Sequence, residues 1–159
     1  ESISQPGEVS FPGGGVEEGE TPQQAAVREA VEELNIQPEQ IDILGEIDYL
    51  VFERSTIHCF VGRLNLDWMT IVPNEEVARI FTVPLSTLLT IQPVYYQLDS
   101  KVVPECDFPF ERLRGGISYP FSYQKRSIPF YEQLPENIWG MTAQFTHRFT
   151  EIINQQTSP

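Results

Sequence analysis

The chain has 159 residues, which suffices for one compact domain with a substantial hydrophobic core. Its formal net charge of −13 makes nucleic acid a poor partner, because an acidic surface repels a phosphate backbone. No apolar run approaches the roughly 18 residues that a membrane-spanning helix requires, so we expect no membrane partner.

The two cysteines, Cys59 and Cys106, do not have a Cys-x-x-Cys spacing, which argues against a zinc cluster or a redox motif. Unpaired thiols are typical of a reducing compartment, so we predict a cytoplasmic protein.

The N-terminal part of the sequence predicts a strand, a loop and a helix. Glu8–Phe11 alternates as a short strand does, and Pro12–Gly15 ends it. Thr21 is a good N-cap at the start of a capping-box pattern, so we predict a helix over Thr21–Leu34. Asn35 follows, and Asn tolerates the left-handed conformation that ends many helices.

The middle of the chain predicts a β-hairpin followed by shorter elements. Ile41–Leu50 and Ile57–Leu66 are rich in β-branched and aromatic residues, with Glu53–Ser55 as the turn between them. Glu75–Phe81 is predicted as a further strand of a mixed sheet, and Val83–Leu89 as a short helix.

The last third of the chain is rich in Pro, Tyr and Phe from Gln92 to Pro135, where we expect a segment that covers the substrate. A final helix is predicted from Thr142 to Ile153, because apolar residues recur along one face. Strands mixed with two main helices indicate an α/β fold, with a mixed β-sheet sandwiched between α-helices.

The first helix carries an acidic cluster. Glu29, Glu32 and Glu33 stand at i, i+3 and i+4, so their side chains share one face. Three carboxylates so close repel one another, and a divalent cation that prefers oxygen ligands would relieve this repulsion. The alternative is a solvated acidic face, because most charge runs have no further role.

The spacing around this cluster resembles the Nudix box, G-x5-E-x7-R-E-U-x-E-E-x-G-U, in which U is a bulky aliphatic residue. Two positions depart from the pattern, since Ala30 is small for the first U and Asn35 replaces the last Gly. The matching residues are Gly14, Glu20, Arg28, Glu29, Glu32, Glu33 and Ile36.

The resemblance to the Nudix family implies a Nudix fold and hydrolysis of a nucleoside diphosphate linked to another group, with Mg²⁺ or Mn²⁺ as cofactor. In that family Glu20 orients the site, and Arg28 holds a box glutamate in place. The base is a box glutamate or a carboxylate of a distant loop, and Glu76 is a possible second carboxylate of the site. The implied metal ligands are Glu29, Glu32 and Glu33, and the implied catalytic residues are Glu29, Glu32, Glu20 and Arg28.

A second resemblance narrows the family to its coenzyme A pyrophosphatase branch. Gly7–Gly14 is similar to the G-x3-F-P-G-G that ends the signature of this branch, although Ile3 stands where the branch has Arg. Ile128–Tyr131 and Ile138–Ala143 resemble its I-P-F-Y and I-W-G-x-T-A stretches. Asn74–Leu85 resembles its N-x-x-E-V-x-x-x-F-x-V-P-L stretch, with one residue fewer between Asn and Glu. The resemblance implies cleavage of coenzyme A or its derivatives to 3′,5′-ADP and 4′-phosphopantetheine.

Several residues are candidates for contact with this substrate. Lys125 and Arg126 form the only adjacent basic pair and suit the 3′-phosphate of coenzyme A, with a plain surface pair as the alternative. Trp139 and other aromatic residues are candidates to stack on adenine, although such residues more often belong to the core. The implied substrate-binding residues are Ser10, Phe11, Gly13, Gly14, Lys125 and Arg126.

The sequence leaves three functions open. The runner-up to coenzyme A is ADP-ribose, NADH or another nucleoside diphosphate derivative as substrate, and the third is a non-catalytic nucleotide sensor. The intact carboxylates argue against the sensor. We expect a small-molecule nucleotide as partner and leave a homodimer open. The isolated His58 and His147 are assigned structural or surface roles.

We expect residues 1–159 to form a single Nudix domain from which an N-terminal strand region is missing. The Nudix sheet needs strands before the box, and ten residues precede Phe11. We therefore expect about 30 or more further N-terminal residues in the full protein, on the basis of ordinary strand and loop lengths.

Overall fold

A computed structural model describes residues 7–99, 106–121 and 125–157. The combination of helices and strands in these parts confirms the α/β class. In chain order the elements are α1 (Pro22–Leu34), β1 (Ile41–Val51), β2 (Thr56–Leu64), α2 (Leu85–Leu88), β3 (Val94–Asp99), β4 (Lys125–Phe130) and α3 (Gly140–Thr157). Short 3₁₀ turns lie at Pro38–Gln40, Trp68–Thr70, Phe110–Arg112 and Gly116–Ser118.

The helix α1 begins and ends as the sequence predicts. The hydroxyl of Thr21 accepts a hydrogen bond from the N–H of Gln24 at 3.2 Å, and the side chain of Gln24 accepts from the N–H of Thr21 at 2.8 Å. This reciprocal capping box satisfies two N–H groups that have no partner within the helix. At the other end Asn35 is left-handed, with φ 51° and ψ 50°.

The strands β1 and β2 form the predicted hairpin. They pair in antiparallel fashion from Ile41 opposite Leu64 to Val51 opposite Thr56. The N–H of Phe52 donates to the carbonyl of Ser55 at 2.8 Å and closes the turn. The hairpin follows α1 after the 3₁₀ turn at Pro38–Gln40, and its strand β2 lies beside α1.

The strands β3 and β4 form a second antiparallel pair, from Val94 opposite Phe130 to Asp99 opposite Lys125. Both lie within the predicted substrate-covering segment, part of which, residues 100–105 and 122–124, falls outside the described residues. Strand pairing in the described parts of the chain is thus antiparallel, in two sheets of two strands each.

The predicted strand Glu8–Phe11 is wrong. Alternating side chains make a strand only where a neighbouring backbone supplies ladder hydrogen bonds, and no described strand pairs with this segment. Instead, the hydroxyl of Thr142 donates to the carbonyl of Val9 at 2.9 Å. A side chain of α3 therefore takes the place of a ladder partner.

The predicted strand Glu75–Phe81 is also wrong, because its first residues form a turn. The N–H of Glu76 donates to the side-chain oxygen of Asn74 at 3.0 Å, and the N–H of Val77 donates to the carbonyl of Asn74 at 3.3 Å. Asn favours such local hydrogen bonds, which compete with strand pairing.

The core is centred on Tyr131, Ile138 and Ala143, so it lies between the end of β4 and the start of α3. Half-buried apolar residues of several loops pack against this core, namely Val9, Phe81, Val83, Ile91 and Leu134. The predicted helix at the C-terminus is confirmed as the longer α3. No helix in the described parts of the chain is both long and apolar enough to cross a membrane.

Candidate active site

Arg28 is the centre of a hydrogen-bond network that joins α1 to the loop before it. Its Nε and Nη2 donate to the two carboxylate oxygens of Glu20 at 3.0 and 3.2 Å. Its Nη2 also donates to the carbonyl of Gly15 at 2.9 Å, and its Nη1 donates to Oε1 of Glu29 at 2.8 Å. The planar fork of Arg makes such a multiple contact possible, and it fixes Glu29 relative to the loop.

The same network shifts the acid–base properties of its members. Hydrogen bonds from Arg28 and from the N–H of Glu17 hold the pKa of Glu20 below its ordinary value. Hydrogen bonds to Glu20 and then to Glu29 raise the pKa of Arg28. Both shifts favour the charged form of the group, so the network stabilises Arg28 and Glu20 as an ion pair.

Two glutamates of α1 reach the Gly13–Gly15 loop. The N–H of Gly13 donates to Oε1 of Glu33 at 3.2 Å. Gly14 faces Glu29 so closely that a Cβ atom there would lie 2.1 Å from Oε1 of that glutamate and 2.4 Å from its Cδ. A side chain at position 14 would require the carboxylate of Glu29 or the loop to shift, and both carboxylates lie against one loop.

The carboxyl group of Glu33 lies in an environment that disfavours its charge. Burial raises the pKa of Glu33 above its ordinary value, and the negative charges of Glu29 and Glu76 add to the rise. The hydrogen bond from Gly13 opposes it. A bound cation would reverse this balance, because it would offset the repulsion among the carboxylates.

Asn74 ties the turn that bears Glu76 to the end of α1. Its N–H donates to the carbonyl of Glu33 at 2.9 Å, while its side chain accepts from the N–H of Glu76. Glu76 is thereby held within electrostatic range of Glu33. The sequence did not predict this role of Asn74, for which the only signal was the resemblance of Asn74–Leu85 to the coenzyme A branch.

Glu32 is the most exposed member of the acidic cluster, with 56% of its side chain accessible, against 17% for Glu29. Its Oε2 lies 3.5 Å from Nη1 of Arg28. Arg28 thus neutralises part of the charge of Glu20, Glu29 and Glu32 together.

The donor chemistry of this site fits a divalent cation that is shared with a substrate. In the described parts of the chain, no three His, Cys, Asp or Glu side chains converge closely enough to hold a metal ion by themselves. Mg²⁺, however, is usually bound by one or two carboxylates, with water and substrate phosphates as its other ligands. Glu29 and Glu33, which repel each other beside one loop, have the hard oxygen atoms that such a pair of ligands would need.

The other predicted substrate-binding residues are exposed. Ser10 and Phe11 lead into the loop, and 55% of Phe11 is accessible. Lys125 and Arg126 lie at the start of β4. Among the described residues, no hydrogen bond or ion pair joins this basic pair to α1.

The isolated histidine of β2 and the tryptophan before α3 have protein partners. Nδ1 of His58 lies 2.6 Å from Oε1 of Glu46, which agrees with a structural role for this histidine. Trp139 stacks on Phe130 with 5.4 Å between ring centroids. One face of its indole is therefore already covered by protein.

The chain is similar in sequence to several proteins that are named Nudix hydrolases or a coenzyme A diphosphatase. The Caenorhabditis elegans protein Nudix hydrolase 3 is 24% identical over 157 residues, which cover 93% of this chain and 61% of the relative. The mouse peroxisomal coenzyme A diphosphatase NUDT7 is 37% identical over 95 residues, 58% of this chain and 40% of the mouse protein. The Photorhabdus laumondii uncharacterized Nudix hydrolase NudL is 29% identical over 152 residues, 94% of this chain and 71% of the relative.

The chain thus spans less than two thirds of the length of the worm and mouse relatives. A model of the NUDIX domain matches residues 2–106, which include the whole Gly13–Gly15 loop and all of α1. Since this match covers more than half of the sequence, the chain belongs to the Nudix family.

Proposed function

We propose that this chain hydrolyses the pyrophosphate bond of coenzyme A or its derivatives, with Mg²⁺ or Mn²⁺ as cofactor. The observation that carries the hydrolase assignment is the meeting of Glu29 and Glu33 at the Gly13–Gly15 loop. The choice of coenzyme A is supported by the likeness to a relative named coenzyme A diphosphatase and by the Gly7–Gly14 motif.

In this proposal Glu29, Glu32 and Glu33 are the residues that would hold the cation. A divalent cation at such a site neutralises phosphate charge and lowers the pKa of a bound water molecule. Arg28 keeps Glu29 in position and Glu20 anchors Arg28, so neither is expected to leave its partner during turnover. The absence of side chains in the Gly13–Gly15 loop allows a diphosphate to approach the backbone closely.

Hydrolysis also requires a group that accepts the proton of the attacking water. We propose Glu76 or one of the box glutamates for this role. Support for Glu76 comes from its hydrogen-bonded turn, which Asn74 fixes beside the end of α1.

The two ends of coenzyme A need different surroundings. Its 3′-phosphate needs a cation and its pantetheine arm needs an apolar surface, whereas ADP-ribose lacks both features. We propose Lys125 and Arg126 for the phosphate, because both are exposed and the chain as a whole is acidic. Binding of the arm is assigned to the aromatic residues between Gln92 and Pro135.

The experiment that tests this proposal compares kcat/KM for coenzyme A, dephospho-coenzyme A, ADP-ribose and NADH. We expect coenzyme A to be the best substrate and removal of the 3′-phosphate to cost about tenfold or more, the value of a charge-assisted contact. If ADP-ribose is turned over best and the 3′-phosphate has no effect, the runner-up is correct. Binding of these nucleotides without turnover in the presence of both metals would instead identify a sensor.

The cytoplasmic location remains a prediction. The name of the mouse relative places that protein in peroxisomes. Imaging of the full-length protein with a fluorescent tag would decide between these two compartments.

A further inference from the structure

The segment Gly7–Phe11, which leads into the Gly13–Gly15 loop, is attached to the start of α3. The indole N–H of Trp139 donates to Oε2 of Glu8 at 2.7 Å, and the hydroxyl of Thr142 donates to the carbonyl of Val9 at 2.9 Å. Val9 also packs its side chain against the core. Since no described strand pairs with this segment, the two hydrogen bonds and the packing of Val9 hold its backbone in place.

Trp139 is itself rigidly placed. Its ring lies on that of Phe130 with an angle of 13° between the two planes, and the backbones of the two residues form an isolated β-bridge. The N–H of Ala143 donates to the carbonyl of Trp139 at 3.3 Å at the start of α3. The direction of the indole N–H is therefore set by β4 and α3, two elements that lie outside the Nudix box.

The attachment is close enough to the acidic cluster to affect the positions of its carboxylates. Val9 and Gly13 are four positions apart, a span of at most about 14 Å, and the intervening Pro12 restricts the backbone further. Gly13 then bonds to Glu33, and Gly14 lies against Glu29. A shift at Val9 would thus be passed on to both carboxylates.

We propose that Glu8, Trp139 and Thr142 act as positioning residues, which set the Gly13–Gly15 loop against Glu29 and Glu33. We call the three the loop clasp. None of them touches a box carboxylate in the described contacts, so the clasp acts through the loop and not on the substrate. The proposal rests on the proposed function only in taking Glu29 and Glu33 as the groups that bind the cation.

The test removes each hydrogen bond of the clasp by a single substitution and pairs it with a control. Trp139→Phe keeps an aromatic ring for stacking on Phe130 but loses the N–H donor, and Trp68→Phe in an exposed 3₁₀ turn is its control. Thr142→Val loses the hydroxyl, and Thr90→Val is its control, because the hydroxyl of Thr90 donates only to the carbonyl of Thr87. Glu8→Ala removes the acceptor, whereas Glu8→Gln retains one.

We expect Trp139→Phe and Glu8→Ala each to weaken Mn²⁺ binding in the absence of substrate about three- to tenfold and to lower kcat about tenfold, with KM little changed. Amide hydrogen exchange at Gly13 and Gly14 should accelerate in both variants. The double variant should be no worse than either single one, because both remove the same hydrogen bond. Glu8→Gln and the two controls should stay within about twofold of the parent protein.

Unchanged Mn²⁺ affinity and unchanged exchange at Gly13 and Gly14 would overturn the proposal, and so would fully additive effects in the double variant. If Trp139→Phe fails to fold, Glu8→Ala against Glu8→Gln decides, because Glu8 is exposed and its loss leaves the core intact. Metal binding and exchange are measured without substrate. They therefore report on the clasp even if coenzyme A proves not to be the substrate.

Discussion

The backbone N–H of Gly13 donates to the carboxylate of Glu33 at 3.2 Å, and the carbonyl of the same glutamate accepts from the N–H of Asn74 at 2.9 Å. Glu33 thus binds the preceding loop through its side chain and the following turn through its backbone. Because Glu33 is half-buried near Glu29, its negative charge destabilises the folded site, and a bound cation or a proton would relieve this cost.

Gly14→Ala should lower kcat/KM about 10- to 100-fold. The new Cβ would lie 2.1 Å from Oε1 of Glu29, so either that carboxylate or the loop must move, and displacements of this size disturb a catalytic site. Gly15→Ala is the matched control, since nothing lies within 4 Å of a Cβ there, and it should stay within about threefold. Steady-state kinetics checks the pair, and equal effects of the two substitutions would contradict this role of Gly14.

Glu33→Gln should lower the rate by at least about 100-fold, because a lost ligand weakens the ion that stabilises charge in the transition state. It should also stabilise the metal-free protein, raising Tm by up to about 3 °C. The pKa of Glu33 is raised on folding, so the ionised residue destabilises the folded state. The increase in stability from Glu33→Gln should therefore be absent at pH values below the ordinary pKa of a glutamate. It should be present in full at pH values above the raised pKa of Glu33 in the folded protein.

Thermal melts with chelator present, at pH values from below the ordinary pKa of a glutamate to above the raised pKa of Glu33, measure this change in Tm. Glu39→Gln is the control, because Glu39 is an exposed glutamate in the 3₁₀ turn that follows α1. Unchanged activity of Glu33→Gln would remove Glu33 from the metal ligands. A fall in Tm at neutral pH would show instead that the hydrogen bond from Gly13 outweighs the burial of the charge.

Chelator should abolish activity, and Mg²⁺ or Mn²⁺ should restore it. Because the cation binds the folded site and not the unfolded chain, saturating Mn²⁺ should also raise Tm. This rise should be clearly smaller in Glu33→Gln than in the parent protein. Activity that survives exhaustive chelation would refute the proposed role of the cation.

The parts of the fold that the sequence predicted are those with local causes. The capping box of Thr21 and the left-handed Asn35 fix the ends of α1 through neighbouring residues. The hairpin turn at Glu53–Ser55 and the acidic face of α1 are likewise set within a few positions. Such features can be read from a single sequence because no distant partner takes part in them.

The features that the sequence did not predict depend on distant contacts. The alternation in Glu8–Phe11 suggested a strand, but the segment binds the side chains of Trp139 and Thr142. Asn74 in turn uses its backbone to reach Glu33. Neither contact leaves a sequence pattern, such as a periodic repeat or a fixed motif spacing, from which it could be predicted. The assigned roles of the box residues and of Lys125 and Arg126 remain predictions that the kinetic experiments address.

Glu76→Gln should shift the acid limb of the pH profile of kcat/KM to lower pH. The ionised form of Glu33 is needed to bind a cation, so activity falls as pH drops through the raised pKa of that residue. The negative charge of Glu76 contributes to the rise. Removing this charge lowers the pKa of Glu33, and protonation then occurs only at a lower pH.

Glu75→Gln is the matched control for this experiment, because the adjacent carboxylate makes no such contribution at Glu33. It should leave the acid limb in place. If Glu76 is also the proton acceptor, its substitution lowers kcat by about 100-fold or more at every pH, an effect distinct from a shifted limb. An acid limb that stays in place in Glu76→Gln, or moves equally in both variants, would show that Glu76 does not act on Glu33.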